Sequence, residues 1–214
     1  MIEKIAMAFF DGLLVGLAFV IFIGPVFFTL LHSSLQFGFR YGLAVAVGIV
    51  LSDFMAMSMC ALGAAAFLQN PKNQTWIALG GAVFLIGLGL KYIFDPKYKP
   101  GKQVEVKEVS YLSFIIKGFL VNFLNPFVFL VWIGITSMAS SKYGIGEGFM
   151  VYLAGTLAGI FLTDTLKALF ADKIKDFFNP KSLMWVFRFI GIGLIGFGIR
   201  LLFLGVLSIP IVTP

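Results

Sequence analysis

The sequence predicts an all-α integral membrane protein, with six transmembrane helices built as two inverted three-helix repeats. Three observations predict it: a composition starved of charge, six long apolar runs, and an internal echo between the two halves of the chain.

The chain has 214 residues, of which 60% are hydrophobic and 12% charged, whereas a soluble domain carries about 25% charged residues. Its mean hydropathy is +1.01. The 24 glycines suit helices that pack closely in lipid, where small residues let backbones approach. The lone cysteine, Cys60, offers no intrachain disulfide framework. The net charge of +6 is assigned to cytoplasmic loops and not to nucleic-acid binding.

The apolar runs extend over Gly12–Leu35, Gly42–Leu68, Thr75–Phe94, Gly118–Ala139, Gly148–Phe170 and Leu183–Leu207. A spanning helix needs about 20 apolar residues. Lipid offers backbone groups no partners, so a spanning segment must bond internally, as a helix does. The strict alternation of barrel strands is absent from these runs. Met1–Phe10 carries Lys4 against Glu3, and no small-residue cleavage site follows, so the first span is read as retained.

The repeat is carried by Gly48-Ile49-Val50-Leu51-Ser52-Asp53, which returns 111 residues later as Gly159-Ile160-Phe161-Leu162-Thr163-Asp164. At an offset of 109, Trp76, Leu85-Ile86-Gly87, Gly89 and Lys91 return as Trp185, Leu194-Ile195-Gly196, Gly198 and Arg200. A unit of three spans ends on the side opposite its start, so its copy sits upside down. Inverted repeats are an architecture of secondary transporters, with the substrate near the midplane. The halves are residues 1–95 and 111–214, joined by a charged cytoplasmic linker, 96–110, within one membrane domain.

Lys and Arg set the orientation. One side holds Arg40, Lys91, the cluster from Lys97 to Lys117, Lys167, Lys173, Lys175, Lys181 and Arg188; the other holds Lys4, Lys72, Lys142 and Arg200. The richer side is read as cytoplasmic, which places both termini outside the cytoplasm.

Asp53 and Asp164 lead the candidate functional residues. An ionisable group inside an apolar span is costly unless paired or wetted, which marks it as functional. A carboxyl shielded from water holds a proton more tightly, so each can couple proton movement to a solute's ammonium. For Asp164 a local pair with Lys167, three residues on, is the structural alternative. His32, the one histidine, is a candidate proton relay, with a place at the membrane boundary as the alternative.

Gly24-Pro25 and Asn125-Pro126 each fall within the first span of their repeat. Proline removes a donor and breaks or kinks the helix, and a break leaves free N–H groups suited to a carboxylate. Thr29 and Asn122 add polar groups beside these breaks. The candidate substrate-binding set is therefore Gly24, Pro25, Thr29, Asn122, Asn125 and Pro126. Arg200 and Lys91, matched by the repeat, read as helix-end anchors, and Arg188 as a group reaching the inner surface. Glycine-rich faces such as Gly80-Gly81, Gly87 and Gly89 suggest a homodimer. No P-loop is present, nor any His/Cys spacing for zinc, so neither cofactor nor metal is expected, and the chain is not read as an enzyme.

Ile23-Gly24-Pro25, Ser33-Ser34, Gly38, Gly42, Gly48 and Asp53, followed by Lys117-Gly118-Phe119-Leu120-Val121-Asn122 and Asn125-Pro126, resemble the LysE/RhtB family of bacterial translocators over nearly the whole chain. Ile23 stands where that family has a first proline, and Phe127 where it has a lysine. The resemblance implies export of amino acids or their derivatives. The expected activity is a secondary active exporter of amino-acid-like solutes in the bacterial inner membrane, driven by proton antiport. A divalent-cation exporter, with the two aspartates as hard oxygen ligands, is the alternative. An intramembrane aspartyl protease is disfavoured, because Ser52-Asp53 and Thr163-Asp164 match neither Gly-x-Gly-Asp nor Tyr-Asp.

Overall fold

Two of the apolar runs break in the middle, and those breaks organise the molecule. A computed structural model describes residues 2–63, 71–94, 110–174 and 180–207. Among them are eight α-helices and no strand: α1 (Ile2–Ala18), α2 (Pro25–Phe37), α3 (Phe39–Ala61), α4 (Pro71–Phe94), α5 (Tyr111–Phe123), α6 (Pro126–Tyr143), α7 (Glu147–Ile174) and α8 (Pro180–Leu207). A 3₁₀ turn, Phe19–Ile21, follows α1.

Among the described residues, four stretches are long and apolar enough to cross a membrane: Glu3–Ile21, Phe39–Ala61, Glu147–Lys173 and Met184–Phe203. Tyr111–Phe123 and Phe127–Tyr143 form a pair bent by 73°, and Ala78–Phe94 is a shorter apolar helix. The sequence boundaries need correction here. The first run does not begin at Gly12; α1 starts at Ile2 and carries Asp11 within it. Asp11 is tolerated there because Lys142 and Tyr143, at the end of α6, both donate to its carboxylate. Likewise the fourth run does not begin at Gly118; α5 starts at Tyr111 and carries Lys117 within it, whose ammonium sits 4.3 Å from the centre of the Phe114 ring, a favourable cation–π placement. Most of the charged linker, the end of the second run at Leu68 and the tail beyond 207 lie outside the described residues.

Both breaks start their second helix with proline at the first turn, where a missing N–H costs nothing and the fixed φ suits the helix. Between α2 and α3, Gly38 adopts φ 94° and donates its N–H to the Ser34 carbonyl at 2.9 Å. That positive φ is the reason a glycine turns the chain there.

The main helix pairs are α1 with α7, α3 with α5, and α4 with α8, while α3 and α7 pack together. Lipid supplies little drive for helix association, so close backbone approach matters. A Cβ on Gly48 would overlap the Ile115 carbonyl in α5, and one on Gly159 the Leu13 carbonyl in α1. The two glycines matched in the sequence thus perform the same task against the first helix of the opposite half. In the α4–α8 pair, Gly89 meets Gly191 and Ile195, and Gly198 meets Ala82 and Ile86. Those partners are themselves 109 residues apart. Gly81 and Gly89 are therefore consumed inside the chain, and of the proposed dimer glycines only Gly80 and Gly87 face open space.

Candidate functional site

The two breaks border one cavity of about 480 Å³, within the usual size range of small-molecule sites. Gly24, Pro25, Asn122 and Asn125 line it, as do Asp53 and Asp164. Six of the nine sequence candidates are thereby brought together.

Asp53 comes from the middle of α3 and is 5% exposed. Its Oδ1 accepts from Asn122 Nδ2 at 2.8 Å and from Trp132 Nε1 at 2.9 Å. Asn122 ends α5 and Trp132 lies in α6, so Asp53 of the first half sits at the break of the second. The Asn122 amide also donates to Ser52 Oγ at 3.2 Å and the Ile49 carbonyl at 3.3 Å. Both donors to Asp53 are neutral and both reach one oxygen. Oδ2 accepts no hydrogen bond from a described residue.

Asp164 mirrors this placement with different chemistry. It is 4% exposed in α7. Lys167 Nζ lies 3.2 Å from its Oδ1 and 3.0 Å from the Phe19 carbonyl, where α1 gives out. Asp164 of the second half thus stands at the break of the first, joined to it by Lys167. The local pair foreseen as the alternative is present, and the same lysine also caps a broken helix end, which favours a cation there.

The breaks differ in what they offer. Asn125 Oδ1 accepts from Phe127 N at 3.1 Å, so α6 caps itself. Gly24 makes no side-chain cap for α2, and the space where its side chain would stand is open. The free N–H groups of a broken helix are therefore available at Gly24-Pro25, while Asn125 has taken one at the second break.

Thr29 and His32 are buried in α2 but do not line the cavity. The His32 ring stacks on Tyr92 with centroids 3.5 Å apart and lies 4.6 Å from Phe187. Pro126 opens α6.

Lys167, Arg200 and Trp132 line the cavity but were not assigned to it from sequence. Lys167 and Arg200 read as charges near the membrane surfaces because a count of Lys and Arg does not know where a helix turns inward. Trp132 carried a signal: an indole N–H buried in a span needs an acceptor, and few exist. Hydrophobic groups from both breaks complete the wall, with Phe19 stacked on Phe22 at 5.0 Å and Phe22 6.0 Å from Phe127.

The family model for LysE type translocators matches residues 17–205. The chain is 24% identical over 194 residues to a Bacillus subtilis (strain 168) protein named "Putative amino acid efflux protein YcgF", covering 89% of this chain and 92% of that one. No solved structure matches.

Proposed function

The chain belongs to the LysE type translocator family, and from that premise we propose that this multi-pass membrane protein is a secondary active exporter of amino acids or amino-acid-like solutes, working by proton antiport in the bacterial inner membrane. The observation that carries the reading is the crossed placement of the aspartates, each in one half and each at the other half's broken helix, around a single cavity.

The exchanged packing of α1 on α7 and α5 on α3, with its matched glycines, supports two inverted repeats that rock about the cavity. The donors to the Asp53 carboxylate are the neutral Asn122 and Trp132, so Asp53 is the group that alternates between a proton and the solute's ammonium. The uncapped turn at Gly24-Pro25 receives the carboxylate. Asp164 exchanges its partner Lys167 for a proton as the halves move, which frees the Phe19 carbonyl end of α1. The His32 ring, stacked outside the cavity, serves packing better than proton relay. Both termini face away from the cytoplasm.

A metal exporter would use both carboxylates as ligands. One is already paired with Lys167, and among the described residues no group of three or more His, Cys, Asp or Glu could hold an ion.

The test is Asp53→Asn in reconstituted vesicles. This substitution keeps the side chain's size and removes its titration. The variant should remain folded and lose gradient-driven amino-acid export. Full export would remove Asp53 from the mechanism.

A further inference from the structure

The cavity holds four charged groups: Asp53, Asp164, Lys167 and Arg200. Lys167 and Asp164 satisfy each other. Asp53 is held by two neutral donors. Arg200, near the end of α8, makes no hydrogen bond or ion pair with a described residue and stands at the exposed rim. One carboxylate and one guanidinium are left without an opposite charge. That is the complement of a solute carrying one ammonium and one carboxylate. A basic amino acid brings a second cation, and the acid that could receive it is already neutralised by Lys167.

The rest of the wall is apolar. Phe19, Phe22 and Phe127 form a continuous aromatic surface across the two breaks, and Phe197, Leu201 and Ile160 face the same space. A small polar side chain would leave that surface uncovered, whereas a large apolar one removes it from water, which is favourable.

We propose that Arg200 joins the uncapped turn at Gly24-Pro25 in binding the solute's carboxylate and that the aromatic wall selects a large apolar side chain, so that the transported class is zwitterionic amino acids of the leucine, methionine and phenylalanine type. Arg200 is then a specificity-determining residue and not a membrane anchor. A guanidinium matches a carboxylate through two parallel N–H donors, a geometry that lysine does not reproduce. This inference rests on the exporter reading, and its test separates the two.

The experiment is exchange in proteoliposomes, with labelled leucine, phenylalanine, alanine, serine and lysine, and leucinamide as the analogue lacking the carboxylate. The wild type should exchange leucine and phenylalanine at the lowest KM and fail with leucinamide. Arg200→Gln should raise the KM for leucine by about tenfold or more, the loss expected when a charge-assisted pair is removed, with Arg200→Lys recovering part of it. Phe127 is half exposed, so Phe127→Ser should fold, and it should narrow the preference for phenylalanine over alanine. Preferred exchange of lysine or serine, or an unchanged leucine KM in Arg200→Gln, would overturn the proposal while leaving an amino-acid exporter in place. Exchange of no amino acid would overturn the exporter reading and this proposal together.

Discussion

Asn122, in the last full turn of α5, donates its amide to the Asp53 carboxylate in α3 across 2.8 Å. The bond ties the break of one half to the acid of the other. Hydrogen bonds within membrane bundles contribute about 0.6 kcal/mol on average and up to about 1.7, so the pair is worth more for position than for stability. Asn122→Leu should lower the melting temperature of the detergent-solubilised protein by only a few degrees. It should cut transport far more, because Asp53 then keeps Trp132 alone. A large melting loss with proportionate transport loss would reduce Asn122 to a packing group.

Lys167 and Asp164 form a buried pair, and breaking one partner of such a pair leaves an uncompensated charge. Lys167→Met should therefore reduce the yield of folded protein, by a destabilisation of about 3–5 kcal/mol if the cost matches other buried pairs. The double variant Asp164→Asn, Lys167→Met should recover most of it. A single variant as stable as the wild type would show that Asp164 is satisfied without Lys167, by a proton or by water. Transport assays on the double variant then report whether Asp164 couples protons, free of the folding effect.

Gly48 and Gly159 approach neighbouring backbone so closely that a Cβ on either meets a carbonyl group. Gly48→Leu and Gly159→Leu should each abolish monodisperse folded protein on size-exclusion chromatography. Gly134, with open space where its side chain would stand, is the control: Gly134→Leu should elute like the wild type. Equal behaviour of all three variants would mean the helix pairs are looser than described.

His32→Phe preserves the aromatic stack on Tyr92 and removes the titratable ring. Export and its pH profile should be unchanged. A profile displaced along the pH axis would restore His32 to the proton path.

Much of this was legible in the chain itself. The aspartates stood out because charge in an apolar span is expensive, and the prolines because they break helices in any surroundings. Gly48 and Gly159 mark the internal echo in the chain, while their equivalent packing against α5 and α1 is seen only in the structure. What stayed hidden was of two kinds. Helix ends were misplaced where a distant residue neutralises a charge: Asp11 reads as a boundary until Lys142 and Tyr143 are seen to reach it. The pairing of Lys167 with Asp164, three residues apart, is legible in the chain, whereas its reach to the Phe19 carbonyl 148 positions away is not. Long-range pairing decides both, and a local pattern carries no trace of it.

The most direct measurement is proton movement triggered by solute in proteoliposomes holding the wild type or Asp53→Asn, followed with an entrapped pH dye. The account predicts that an amino acid added on one side drives protons to that side in the wild type and that the variant is silent. Proton movement of equal size in the variant, or solute flux in the wild type with no proton movement at all, would contradict it.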